Sequence, residues 1–74
     1  MRIYLTNHAK LRMKERGIDN QLVEKCLEYN QVSRPGEGNK TIYDYTDNTG
    51  YKTSVSAVEE NGIWVVVSVW RVTI

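Results

Sequence analysis

The residues best suited to chemistry lie in one short segment near the start of the chain. His8, Arg12 and Arg16 are spaced four residues apart. On a helix such positions drift by only about 80° over two turns, so the three side chains would form one stripe. Arginine presents a planar fork of donors that matches phosphate, and histidine exchanges a proton near neutral pH. The stripe therefore predicts an anion site.

The chemistry that such a stripe suits is the metal-free cleavage of RNA. A base removes the proton of the ribose 2′-OH, an acid protonates the leaving 5′-oxygen, and cations stabilise the transition state. We predict His8 as the acid or base, with Arg12, Arg16 and Arg71 as phosphate ligands converging on one patch. A structural alternative stays open, in which His8 bonds to a strand backbone and the helical arginines pair with carboxylates of the sheet.

The C-terminal half supplies weaker candidates. Arg71 is either a phosphate ligand or a snorkelling residue at the rim of the last strand. Lys40 and Lys52 are candidate RNA contacts, although isolated lysines normally lie in solvent. Tyr43 is a candidate stacking partner for a base. The chain has no Phe, so a core role for its Tyr and Trp residues is the alternative.

No cofactor is expected. Cys26 is the only cysteine and His8 the only histidine, and they fall on different elements. This excludes an internal disulfide and a Cys/His metal cage. Glycine-rich nucleotide-binding motifs are absent as well. Cys26 lies in an apolar stripe and is interpreted as a small buried hydrophobe.

Two helices are predicted to position the His-Arg-Arg stripe. Residues 2–6 alternate as a short strand, and Thr6 or Asn7 caps a helix over residues 8–16. Gly17 ends that helix as a left-handed residue. Asp19 caps a second helix, which should fade near residue 29 or 30.

The rest of the chain predicts a sheet. Residues 33–40 hold the only Pro and two Gly, and are predicted to be a loop. Strands follow over residues 41–46, 51–58 and 63–73, the last two joined by the hairpin signal Asn61-Gly62. Alternation predicts two faces for the last strand, with Arg71, Ile63, Val65, Val67 and Val69 on one and Trp64, Ser68 and Trp70 on the other. The prediction is one α+β domain of residues 1–74, ordered β-α-α-β-β-β. Two N-terminal helices would pack on an antiparallel sheet of three to four strands, with the first strand at a sheet edge.

Composition narrows the class of protein. The chain has 74 residues, 41% of them hydrophobic, and a net charge of +1. These values predict a small folded domain, and no segment reads as a membrane span or a secretory signal. A reducing, cytoplasmic setting is therefore expected. The first sixteen residues nevertheless carry five basic side chains against one acidic side chain, so positive charge concentrates where the stripe lies.

The segment His8-Ala9-x-x-Arg12-Met13-x-x-Arg16-Gly17-Ile18 carries a family resemblance. It is similar to the opening motif of a small-domain family of unknown function, which resembles compact toxins of the RelE type. BrnT-type toxins have a similar helix end, with Lys-His-Gly in place of Glu15-Arg16-Gly17. The resemblance implies a RelE-like fold and an endoribonuclease toxin of a toxin–antitoxin system, acting on RNA that includes ribosome-bound mRNA. It also implies an antitoxin protein as partner.

Two other functions remain open. The chain is alternatively a non-enzymatic protein-interaction module that uses a sheet edge and an aromatic face, including homodimerisation through that edge. A nucleic-acid binder without catalysis is a third hypothesis, because a positive helix face gives salt-dependent phosphate contacts.

Overall fold

A computed structural model gives the fold of residues 1–73, with side chains described through Val72. The elements are β1 (Arg2–Leu5), α1 (Asn7–Arg16), α2 (Asn20–Glu28), β2 (Val32–Pro35), β3 (Thr41–Thr46), β4 (Tyr51–Glu60) and β5 (Ile63–Thr73). The five strands form one sheet in the order β1-β5-β4-β3-β2. Both helices pack on one face of this sheet, as the core contacts show. The α+β class and the two helices agree with the sequence prediction.

The caps predicted for the helices are present. The Thr6 Oγ1 accepts a hydrogen bond from the N–H of Ala9 at 3.2 Å, and its hydroxyl donates to the carbonyl of Val67 at 3.2 Å. This residue therefore starts α1 and also ties its first turn to β5. Gly17 ends α1 with φ 66°, a conformation that glycine adopts without steric cost. Asp19 caps α2 by accepting from the N–H of Leu22 at 2.9 Å.

The sheet differs from the prediction in strand number and direction. The segment predicted as a loop over residues 33–40 contains most of β2, which pairs antiparallel with β3 from Val32↔Asp44 to Pro35↔Thr41. All four β2 residues are exposed. Because neither face of the strand is buried, its sequence lacks the alternation of apolar and polar residues by which a strand is predicted. Its proline is tolerated because the strand lies at an edge. β1 lies at a sheet edge, as predicted. It pairs there with β5 and runs parallel to it, so the sheet is mixed and not antiparallel throughout.

A β-bulge in β5 corrects the predicted faces of that strand. Ser56 pairs with Ser68, whereas the next β4 residue, Ala57, pairs with Val66, so Val67 is left opposite no residue of β4. One extra residue reverses the side of everything that follows it. The predicted grouping of Trp64 with Ser68 and Trp70 is therefore wrong.

The two tryptophans consequently lie on opposite faces of the sheet. Trp64 packs against the core under the helices, with its ring edge-on to Tyr43 at a centroid distance of 5.5 Å. Trp70 lines a groove on the helix-free face.

The core lies between the helices and the sheet. It consists of buried side chains from both layers: Ala9, Met13, Ile18, Val23, Cys26, Leu27, Val55, Ala57, Val66 and Val69. The Cys26 thiol donates to the carbonyl of Thr53 at 3.6 Å. Burial, with a smaller effect from the charge of Asp44, raises the pKa of Cys26 to about 12. No helix within residues 1–73 has the length and apolar character that crossing a membrane requires.

Candidate functional site

The predicted stripe lies on the outer side of α1. Ala9 and Met13 point into the core, which leaves His8 and Arg16 exposed and Arg12 half-buried. Successive members are about 6 Å apart along the helix axis, so the row spans about 12 Å. Burial of one helix stripe thus presents the three groups to solvent.

His8 is unengaged in the part of the chain that the structure describes. Its ring forms no hydrogen bond or ion pair with residues 1–72. Thr6 instead makes the contact to the β5 backbone that the structural alternative assigned to His8. The ring is therefore available to a ligand.

Arg12 pairs within its own helix and not with the sheet. Its Nη1 lies 3.2 Å from Glu15 Oε1, and the two side chains are 41% and 48% exposed. An ion pair that open to solvent contributes little, in the range of about 0–1 kcal/mol. Arg12 can therefore exchange Glu15 for an anionic ligand at low cost. Among the described residues, it does not form the pairing with sheet carboxylates that the structural alternative required.

Arg71 reaches the C-terminal end of α1. Its Nη2 donates to the carbonyl of Arg16 at 3.2 Å, and its guanidinium lies 4.9 Å from the ring centroid of Tyr51. A cation is favoured there, because the last carbonyls of a helix carry partial negative charge. Arg71 and Arg16 are thus brought together. His8 lies two turns away, so the four groups form an extended row and not the single predicted patch.

The predicted RNA contacts divide between the two faces of the sheet. Lys40 and Lys52 follow the alternation of Ile42 and Ser54 on the helix-free face. Tyr43 lies on the other face, half-buried against the core. The structure therefore does not bring these three residues together as one surface.

A polar network on the helix-free face was missed by sequence reasoning. Arg34 Nε lies 3.1 Å from Asp44 Oδ2, and the Ser54 hydroxyl donates to Asp44 Oδ1 at 2.5 Å. Asp44 is only 5% exposed, although no helix covers this face. Its Arg34 partner sits on β2, the strand that the sequence did not predict. Arg34 and Asp44 are ten residues apart on different strands, so no helix or strand periodicity in the sequence predicts their contact.

The network sets the charge of Asp44. Burial alone would raise the pKa of this carboxyl group. Hydrogen bonds from Arg34 and Ser54, together with the positive charges of Arg34 and Lys52, outweigh burial and hold its pKa below the usual value. Asp44 is thus a structural carboxylate, which neutralises the cation on the neighbouring strand.

Comparison with known proteins assigns a family. The family described as Domain of unknown function (DUF4258) matches residues 5–72, from the end of β1 through nearly all of β5. The chain belongs to this family. No curated protein matches it, and no solved structure does. The match includes both the α1 row and the strands of the helix-free face.

The chemistry of this DUF4258 chain is limited by its donor groups. Within residues 1–73, no three His, Cys, Asp or Glu side chains are grouped to bind a metal ion. The α1 row offers one imidazole for proton transfer and guanidinium groups for anions. Such a set can bind phosphate and move one proton.

Proposed function

We propose that this protein is an endoribonuclease toxin that binds RNA along α1 and cleaves it by acid–base chemistry at His8. One observation carries the proposal: an exposed, unengaged His8 lies one helical turn from Arg12, whose ion pair is open to solvent. The resemblance of the α1 motif to RelE-type and BrnT-type toxins supports the choice of RNA as substrate. An antitoxin would hold such an activity in check.

The reaction requires the transfer of one proton between two oxygens. The ribose 2′-oxygen attacks the adjacent phosphorus, the bond to the 5′-oxygen breaks, and a cyclic phosphate and a 5′-hydroxyl result. The proton lost by the 2′-OH ends on the 5′-oxygen. His8 serves one half of this transfer, as base or acid, and solvent water serves the other half. No metal ion enters these steps.

The arginines stabilise charge and hold the strand. Arg12 is the guanidinium nearest to His8 along the helix, so we assign it to the phosphate under attack, where its fork of donors offsets the added negative charge. Arg16 and Arg71, about two turns from His8, bind neighbouring phosphates. The hydrogen bond from Arg71 to the Arg16 carbonyl restricts the Arg71 side chain and lowers the entropy lost on binding.

The test compares matched variants of α1. Wild type, His8→Ala and Lys14→Ala are expressed from an inducible promoter, and the purified proteins are incubated with RNA in the presence of EDTA. Lys14 is exposed on the same helix but off the row. We expect growth arrest and cleavage for wild type and Lys14→Ala, and cleavage about 10²- to 10⁴-fold slower for His8→Ala. Full activity of a His8→Ala, Arg12→Ala double variant would refute the assignment.

A protein-binding function is favoured by a different observation. Within residues 1–73, the outer edge of β1 pairs with no other strand, since β1 lies at one end of the strand order. Ile3 and Leu5 of this edge also line a groove of about 240 Å³ beside α2 residues Asn20 and Val23. An added strand would gain backbone hydrogen bonds and an apolar pocket at the same place. The second candidate is therefore an interaction module. Binding of a partner protein that His8→Ala leaves intact, with no RNA cleavage by wild type, would favour it.

A further inference from the structure

A second groove, of about 330 Å³, lies on the helix-free face of the sheet. Strands β3, β4 and β5 contribute Ile42, Ser56, Ser68 and Trp70 to its lining. The loop between β2 and β3 contributes Lys40 and Glu37. Its size falls in the range of small-molecule sites, about 300–1,000 Å³. It combines an aromatic ring, hydroxyl groups and a cation in one place.

The β5 bulge is the reason that Trp70 lines this groove. If Val67 were paired with β4 and the strand alternated regularly, Trp70 would lie on the same face as Trp64, under the helices. Bulges are over-represented at sheet edges and next to active sites, where they re-aim a side chain. Here the bulge places Trp64 on the core face and Trp70, which is half-buried and reachable by solvent, on the opposite face.

The hydroxyl groups of the groove have unused hydrogen-bonding capacity. Ser56 and Ser68 are directly paired across β4 and β5. Neither hydroxyl is hydrogen-bonded to another of residues 1–72, in contrast to Ser54, which donates to Asp44. Each can both donate and accept. They therefore offer a polar edge next to the Trp70 ring.

Lys40 provides the positive charge. Its backbone is held by two hydrogen bonds, from its N–H to the Glu37 carbonyl at 3.2 Å and from the Gly36 N–H to its carbonyl at 2.9 Å. The neighbouring cation, Arg34, is neutralised by Asp44. The Glu37 carboxylate at the same groove opposes a highly charged anion. One lysine and one carboxylate at the same groove therefore suit a ligand with a single phosphate.

We propose that this groove binds one nucleotide unit, with its base stacked on Trp70, the base edge bonded to Ser56 and Ser68, and its phosphate at Lys40. Stacking on an aromatic ring suits any base, and hydroxyl groups suit the polar edge of a base. A free mononucleotide and one unit of an RNA strand share this chemistry. The groove includes none of the α1 row, so nucleotide binding here can be tested independently of RNA cleavage at His8.

The test titrates the full-length, isotope-labelled protein with AMP, adenosine and inorganic phosphate separately, followed by NMR. We expect AMP to shift the Trp70 indole and the Ser56 and Ser68 amide signals. AMP should bind roughly fivefold more tightly than adenosine, as expected for one exposed ion pair. Lys40→Gln should abolish that difference, whereas Lys25→Gln, an exposed lysine of α2, should retain it. An AMP titration that leaves the groove signals unmoved overturns the proposal.

A Trp70→Leu variant tests the stacking directly while keeping apolar volume. Its affinity for AMP should fall by roughly 5- to 150-fold, the range measured for base–aromatic stacking. Unchanged affinity for AMP in a folded Trp70→Leu protein refutes the site. If the variant does not fold, the comparison of AMP with adenosine in Lys40→Gln is the test of the site. A five-nucleotide RNA that shifts the same signals more strongly than AMP identifies RNA as the source. Stronger shifts with AMP identify a free nucleotide. His8→Ala should bind AMP like wild type.

Discussion

Replacing Asp44 by Asn is the sharpest test of the structure of the sheet. The side chain is 5% exposed and accepts from Arg34 at 3.1 Å and from Ser54 at 2.5 Å. Asn keeps the size of the side chain but removes its charge. It also places an N–H₂ group where an oxygen accepts one of these bonds. The variant therefore weakens the contact between β2, β3 and β4 without leaving a cavity.

The loss is about 2 kcal/mol in the free energy of unfolding. A hydrogen bond to a charged group contributes about 1.5–3 kcal/mol. The Arg34 side chain is 44% exposed, so after the substitution it can turn to solvent, which keeps the cost below that of a fully buried pair. For a domain of this size, 1 kcal/mol corresponds to about 4–8 °C in Tm, so the expected decrease is about 8–16 °C.

The pH dependence identifies charge as the cause. The pKa of Asp44 in the folded protein lies below its unfolded value. Its ionised form therefore stabilises the fold fully above the unfolded pKa of about 3.9, and this contribution is lost as the pH falls through the folded pKa. Asp47, whose pKa is lowered chiefly by a hydrogen bond from Thr49, titrates alike in wild type and variant. The difference in stability should be constant from pH 5 to 7 and shrink below pH 4.

The assay is urea denaturation of wild type, Asp44→Asn and Glu59→Gln at pH 6.5 and pH 3. Glu59 is an exposed carboxylate near the other end of β4, so its replacement should change stability by less than about 0.5 kcal/mol. A difference between wild type and Asp44→Asn that is equal at both pH values would refute the electrostatic reasoning. No difference at either pH would refute the network.

Three further predictions concern the helices. Thr6→Ala removes both the hydrogen bond from Ala9 and the bond to Val67, so urea denaturation should show a loss of about 1–2 kcal/mol, and Thr6→Ser should recover most of it. Equal stability of Thr6→Ala and wild type contradicts the cap. Gly17→Ala should lower the free energy of unfolding by about 1–2 kcal/mol in thermal unfolding, because φ is 66° at this position and alanine is strained there. A steric clash is not the cause, since an added Cβ would lie 4.0 Å from its nearest neighbour. A stabilised variant would contradict this. Cys26, with a buried thiol whose pKa is raised to about 12, should resist a thiol reagent at pH 8 and react in urea. Rapid labelling of the folded protein would show that the thiol is not enclosed.

Features that depend on residues close together in the chain could be predicted from the amino-acid sequence. Thr6 and Asp19 as caps, Gly17 as a left-handed end, and the Asn61-Gly62 turn follow from local backbone preferences. Both turn residues indeed have positive φ, at 53° and 80°. Strands β3 and β5 were predicted with their observed bounds, and β5 is marked in the sequence by a nearly continuous apolar run. The placement of His8, Arg12 and Arg16 in one row of α1 follows from the helical repeat of 3.6 residues.

Features that join distant segments of the chain could not be predicted, because they depend on tertiary contacts. β2 forms because β3 offers it a partner edge, and the Arg34–Asp44 pair exists only through that pairing. The bulge at Val67 carries no local signal, since five neighbouring apolar residues fit either register. It nevertheless decides that Trp70 faces the second groove. Local sequence fixes conformation over a few residues. The face that a side chain occupies depends on register, which is set by contacts across the whole sheet.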